Sequence, residues 1–194
     1  MSSNNNNNNS VNIPVGSLNE GEHAVEFYAT DTLSTRGSIR LMRFTRISLD
    51  AVAIEFGNPT VVRDGTTCVS SVTPITVSTP YNSLKVQYQV VPSGSNPADT
   101  AWVTSTSSSV TFNMPSSLQD GSYTIFYRAT SGNKFGSIKS ITIVLDNTPP
   151  STSINIQDGA FLTDSDTITI TATDDGSGVA KIFYRIDGGE WLSS

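Results

Sequence analysis

His23 is the single histidine of the chain, and general-base catalysis or metal ligation is the chemistry an imidazole would bring. No nucleophilic or acidic partner accompanies it at a useful spacing, so a structural role within a strand is the favoured reading. Asp164, Asp166, Asp174 and Asp175 offer carboxylate oxygens of the kind that calcium takes, although their spacing reproduces no defined calcium loop. Such residues also belong to turns, and that reading is preferred for them. Trp102, Trp191 and Tyr81 offer ring faces on which a sugar could stack, or else rims and core of strands. Hydrolysis would need a nucleophile with its base, or paired carboxylates across a cleft. Neither is present, and no serine sits in a nucleophile elbow. No catalytic and no cofactor-binding residue is therefore assigned, and calcium is the one cofactor kept as an alternative.

The elements that carry these residues read as strands. Ile168, Ile170 and Ala172 alternate with Thr167, Thr169 and Thr171, and Ile182, Tyr184 and Ile186 repeat the two-residue period of a half-buried sheet. Leu84, Val86, Tyr88 and Val90 form one stripe, Tyr123, Ile125, Tyr127 and Ala129 a second, and His23, Val25, Phe27 and Ala29 a third. Turn signals separate them: Asp120-Gly121, Asp175-Gly176-Ser177-Gly178 and Asp187-Gly188-Gly189. A Gly-x-Tyr step at Gly121 and Tyr123 has the form of the tyrosine corner of immunoglobulin folds, and His23 holds that position after Gly21.

Composition narrows the class. The net charge is −6 with 14% charged residues, and no basic cluster exists to gather phosphates, which argues against nucleic acid as a partner. No apolar run approaches a membrane span, and the first ten residues have no apolar signal-peptide core, so any secretion signal is absent from this stretch or was removed. Residues 1–9 are a low-complexity asparagine-rich segment, native loop or appended linker, and Asn8-Asn9-Ser10 meets the N-glycosylation pattern by chance in such a run. Cys68, the only cysteine, forms no disulfide within the chain and reads as a small buried group.

Self-comparison reveals a repeat of about 96–100 residues. The stretch from Leu18 through Gly21, Val25, Phe27, Tyr28 and Thr30 matches that from Leu118 through Gly121, Ile125, Tyr127, Arg128 and Thr130. Both continue through Gly-Ser-Ile, at Gly37 and Gly136, to Leu-Asp at Leu49-Asp50 and Leu145-Asp146. Ile75-Thr76-Val77-Ser78 reads as recurring at Ile168-Thr169-Ile170-Thr171, and Trp102 at Trp191. Residues 51–149 then form one complete module, 10–50 the back half of another, and 150–194 the front half.

The stretches Asp146-Asn147-Thr148-Pro149-Pro150, Asp174-Asp175-Gly176-Ser177-Gly178 and Asp187-Gly188-Gly189-Glu190-Trp191 resemble bacterial and archaeal immunoglobulin-like surface repeats, notably the OmpL47-type repeat. The resemblance implies an extracellular or cell-surface setting, in S-layer-like arrays, adhesins or hydrolase stalks, and brings no catalytic residues. The central module departs from the pattern with Thr79-Pro80-Tyr81-Asn82-Ser83 in place of the acidic turn and an insertion at 92–100. Expected is an all-β chain of tandem immunoglobulin-like β-sandwiches, one complete central module flanked by two complementary half-modules.

Half a sandwich leaves its apolar stripes and edges uncovered. The expected assembly surface of residues 10–50 is Val25, Phe27, Ala29, Ile39, Leu41 and Phe44. That of residues 150–194 is Ile168, Ile170, Ile182, Tyr184, Ile186 and Trp191. Joining one chain's front half to another's back half makes the partner a second copy, head to tail, in a filament or a ring. The alternatives are a fragment of a longer tandem array serving as stalk or adhesin, and an accessory carbohydrate-binding module of a secreted hydrolase.

Overall fold

The Thr-, Val- and Ile-rich sequence favours pleated strands, and the computed structural model, which describes residues 10–194, is all-β apart from one 3-10 turn at Val15–Ser17. Residues 1–9, the asparagine-rich segment, lie outside the described residues. The chain forms two compact units that divide between Ser48 and Leu49.

The first unit is built on one antiparallel hairpin, β1 (Gly21–Phe27) and β2 (Arg40–Arg46), with Gly21 opposite Arg46 and Phe27 opposite Arg40. Between the strands, Asp31 Oδ1 accepts the backbone N–H of Leu33 at 2.9 Å and of Thr35 at 2.8 Å, which shapes the connection. His23 Nε2 is 2.8 Å from the carbonyl oxygen of Asn19, and its ring stacks on Phe44.

The second unit opens with β3 (Ala53–Phe56), β4 (Thr60–Arg63), β5 (Thr66–Val69) and β6 (Ile75–Ser78). Next come β7 (Lys85–Pro92), β8 (Val103–Thr104) and β9 (Ser109–Phe112). The sandwich is completed by β10 (Gly121–Ser131), β11 (Lys134–Phe135) and β12 (Lys139–Leu145). One sheet has the order β3-β6-β9; the other has β4-β5-β12-β10-β7-β8, with β11 on β10. The Asp64-Gly65 turn, where both residues have positive φ, folds β4 onto β5 as a hairpin. β5 then runs parallel to β12, so the chain that starts in one sheet ends bound to the last strand of the other.

Alternation decides what is buried. Ile75 and Val77 from the first sheet, and Val86, Ile125, Ala129, Ile143 and Leu145 from the second, have no exposed surface. Ile75, Ile125, Ile143 and Leu145 pack with Val69 and Met114, and Ile54, Phe56, Val90 and Phe112 close around them. Tyr88 stacks on Phe112 across the sandwich with ring centroids 3.8 Å apart. The Tyr123 hydroxyl donates to the carbonyl of Gln119 at 2.8 Å, as a tyrosine corner does. The inserted loop after β7 is pinned by Gln89, whose amide donates to the Ala98 carbonyl and accepts from the Ala98 N–H.

Residues 151–193 form two small antiparallel pairs: β13 (Ser151–Ile154) with β14 (Ile170–Thr173), and β15 (Phe183–Tyr184) with β16 (Leu192–Ser193). Ile168 lies outside β14, which corrects its expected place in that strand. Ile170 stands opposite Ile154 as Ile75 stands opposite Phe56, so the pairing equates Ile75 with Ile170, two residues beyond the match suggested by residue identity. A two-residue shift keeps every side chain on its own face, which is why the pattern of alternation does not expose it.

Truncating Ile143 to Ala removes buried methyl groups where both sheets meet, and urea denaturation should record a loss of about 2–5 kcal/mol. Cys68 is 3% exposed. Its thiol should stay unreactive to a disulfide reagent in the native chain and react once urea unfolds it.

Candidate assembly interface

The register of β1 on β2 sorts the first set of expected interface residues. Val25 stands opposite Met42, and His23 opposite Phe44, so these four share the face that also holds Phe27 and Arg40. Leu41 stands opposite Glu26 on the other face, because successive strand residues alternate. Leu41 therefore lies on the opposite face from Val25 and Phe44, and Met42 on the same face as they do. Ile39 precedes β2, and Ala29 follows β1. Val25 and Phe44 are half-buried, whereas Phe27, Ile39, Leu41 and Met42 are exposed.

The second set is sorted in the same way. Tyr184 stands opposite Leu192, so Leu192 shares its face. Trp191 falls on the other face, where the Arg185 guanidinium lies 4.9 Å from its ring centroid. In the central module a different strand supplies the arginine: Arg128 of β10 lies 4.2 Å over Trp102 and 4.1 Å over Phe135. Trp102 and Trp191 thus stack with arginines, and Tyr81 is half-buried. Ile170 and Ile182 are half-buried; Ile168, Tyr184 and Ile186 are exposed, Ile186 at 69%.

Two of the four candidate calcium residues accept hydrogen bonds within turns. Asp174 Oδ1 accepts the N–H of Gly176 at 3.0 Å and of Gly178 at 2.6 Å, and Asp166 Oδ2 accepts the N–H and hydroxyl of Thr163. Asp164 and Asp175 are not drawn in with them, and among the described residues no three His, Cys, Asp or Glu side chains are placed to hold a metal ion.

Sequence reasoning missed the carboxylates that govern the junctions. Asp146, at the end of β12, accepts the Ser177 N–H at 2.6 Å, and Arg63 donates to the Gly176 carbonyl at 2.8 Å. The acidic turn of residues 174–178 is thereby docked on the sandwich. Asp50 likewise accepts the Ser137 N–H at 2.7 Å. In both places a glycine precedes the serine, and a Cβ would collide: at Gly136 with the Leu49 carbonyl oxygen at 2.2 Å, at Gly176 with Asp146 Cγ at 2.3 Å. The repeated Leu-Asp and Gly-Ser pairs were legible as landmarks, and their contact was the unused signal.

Asp120 completes the junction. Its Oδ1 accepts the backbone N–H and side-chain amide of Asn147, and its Oδ2 accepts the Thr148 hydroxyl, while Asn147 Oδ1 accepts the Ser71 N–H. A cleft of about 420 Å³ beside this network is lined by Asp120, Asp146, Thr148, Thr173 and Asp174. The Thr148 hydroxyl foremost, with Asn147, holds the Asp120 carboxyl below its ordinary pKa, and the Ser137 N–H does the same for Asp50. A depressed folded-state pKa gives stability that is present above the unfolded value and lost as pH falls through the folded one. Thermal melts should therefore be level above about pH 5 and decline below about pH 4, with a smaller acid-dependent decline in Asp120→Asn.

Comparison with curated proteins and with solved structures found no match. No helix among the described residues is long and apolar enough to cross a membrane. Residues 106–189 match the family model described as Bacterial Ig-like domain (group 3). The match runs from ahead of β9 to beyond β15, crossing the junction at residues 145–150, and is consistent with a bacterial immunoglobulin-like repeat over these residues.

Proposed function

We propose that this chain is an extracellular structural subunit whose copies join head to tail, each completing a split immunoglobulin-like sandwich with its neighbour. The match to a bacterial Ig-like domain suggests a structural or surface-associated module. The observation that carries the finer reading is a shared register. Gly21 through Phe27 pairs with Arg46 through Arg40 just as Gly121 through Tyr127 pairs with Leu145 through Lys139. Hairpin β1–β2 is thus the counterpart of β10–β12, two central strands of the sandwich.

In the complete module β10 is flanked by β7, and its Ile125 is covered by the facing sheet. Residues 151–193 supply counterparts of β3, β6, β7 and β8. Phe183 and Tyr184 pair with Ser193 and Leu192 as Gln87 and Tyr88 pair with Thr104 and Val103. Phe27 is exposed where Tyr127 is buried in the complete sandwich, and Ile170 and Ile182 are half-buried where Ile75 and Val86 have no exposed surface. Charge adds to the fit: residues 150–194 hold seven acidic side chains against two basic ones, while β2 carries Arg40, Arg43 and Arg46.

A contact of this kind is heterologous, giving a filament, or a ring where the rotation closes. A second reading, a stalk segment of a longer tandem array, draws support from the family match, which crosses the junction between repeats. Light scattering across concentrations and negative-stain microscopy separate the two. The full chain should form regular oligomers that grow with concentration, and the chain lacking residues 151–194 should form none. A dispersed monomer, irregular aggregation, or polymers that survive the deletion would reject the self-assembling subunit.

A further inference from the structure

We infer that residues 10–13 of one copy add to the open edge of β14 in a second copy, as the third strand of the sheet that the central sandwich builds from β3, β6 and β9. This rests on the split-sandwich reading above and specifies a register that the reading leaves open.

The complete sheet shows what β14 lacks. β6 pairs on one side with β3 and on the other with β9, where Ile75, Thr76, Val77 and Ser78 stand opposite Phe112, Thr111, Val110 and Ser109. β14 repeats the first of these pairings: Ile170 faces Ile154 and Thr173 faces Ser151, as Ile75 faces Phe56 and Ser78 faces Ala53. Among the described residues the sheet of β13 and β14 has two strands, and the other edge of β14 carries ladder groups with no strand paired to them. Its Ile170 and Ala172 are only half-buried, whereas Ile75 and Val77 have no exposed surface.

The missing strand has a counterpart in the first unit. β9 lies just ahead of the turn in which the Leu118 N–H donates to the Pro115 carbonyl, before the tyrosine corner. Residues 10–13 lie just ahead of the turn in which the Leu18 N–H donates to the Val15 carbonyl, before His23. Ser109-Val110-Thr111-Phe112 reads there as Ser10-Val11-Asn12-Ile13, with the following connection one residue shorter. Val11 and Ile13 alternate with polar residues, are exposed, and belong to no strand. Transferring the ladder places Ile13 opposite Ile170, Asn12 opposite Thr171, Val11 opposite Ala172 and Ser10 opposite Thr173. On the outer face Asn12 and Thr171 replace the Thr76–Thr111 pair, whose hydroxyl oxygens lie 2.8 Å apart.

The occupant is a second copy because of where the chain meets the sandwich. Leu49-Asp50 docks at Gly136-Ser137, ahead of β12, and Asp146 leads away from its far end. The intervening seven-residue strand rises roughly 23 Å at about 3.3 Å per residue. A neighbouring copy meets β14 without either piece having to double back along that length.

Crosslinking tests the register. Full chains carrying Asn12→Cys and full chains carrying Thr171→Cys, given tags of different length, are mixed and mildly oxidised. Cα atoms of opposed antiparallel residues lie about 4.5–5.5 Å apart, within the reach of a disulfide. The mixed dimer should form at least about tenfold faster than with Ser10→Cys, which lies on the same face two residues out of register. Oligomers in light scattering with no preference for Asn12 would overturn the register and leave the split-sandwich reading standing. An absence of oligomers would overturn that reading, and the register with it. A chain bearing both cysteines that closes on itself as a monomer would overturn the second copy as occupant.

Discussion

An apolar sheet face has to be covered, and in this chain the central sandwich alone covers both of its own. Burial there is complete because the strands of both sheets come from one continuous segment, with β5 tied in parallel to β12 and Ile75, Ile125, Ile143 and Leu145 meeting between the layers. Covering a side chain of that size contributes roughly 1.5–3 kcal/mol relative to leaving it in water. Hairpin β1–β2 and the pairs in residues 151–193 have the same alternation, yet Phe27, Met42, Tyr184 and Ile186 still face solvent. Every functional inference follows from that contrast between like sequences with unlike burial.

Short polar contacts tie Asp50 and the turn of residues 174–178 to the sandwich. Asp50 and Asp146 each accept the N–H of a serine that follows a glycine, and each glycine leaves no room for a side chain. A carboxylate that accepts a backbone N–H fixes direction as well as position, and Asp120 accepts from three donors of the Asn147-Thr148 link. The acidic turn of residues 174–178 is spent on this docking and on its own closure by Asp174. Its use there is geometric: Asp146 and Asp174 organise backbone donors.

The ladders divide the expected interface residues between two faces. Leu41 and Phe44 differ by three positions and cannot share a face of one strand, and Trp191 and Tyr184 are separated by a turn whose register decides their relation. Met42 and Leu192 are the residues that the ladders put beside Val25 and Tyr184. Parity gives the first division from residue numbers alone. The second needed the hairpin pairing itself, because no local property of Gly188 and Gly189 states how many residues the turn consumes.

By itself the sequence determined the all-β class, the alternating stripes and the tyrosine-corner step, since these depend on side-chain period and local turn chemistry. It also marked Leu49-Asp50, Leu145-Asp146 and the Gly-Ser pairs as recurring landmarks. Only the tertiary structure decided that β4 and β5 form a hairpin, that Ile170 rather than Ile168 answers to Ile75, and that the landmark aspartates reach the landmark serines. Register and close approach depend on partners far away in the chain, and a period-two pattern is unchanged by a two-residue slip.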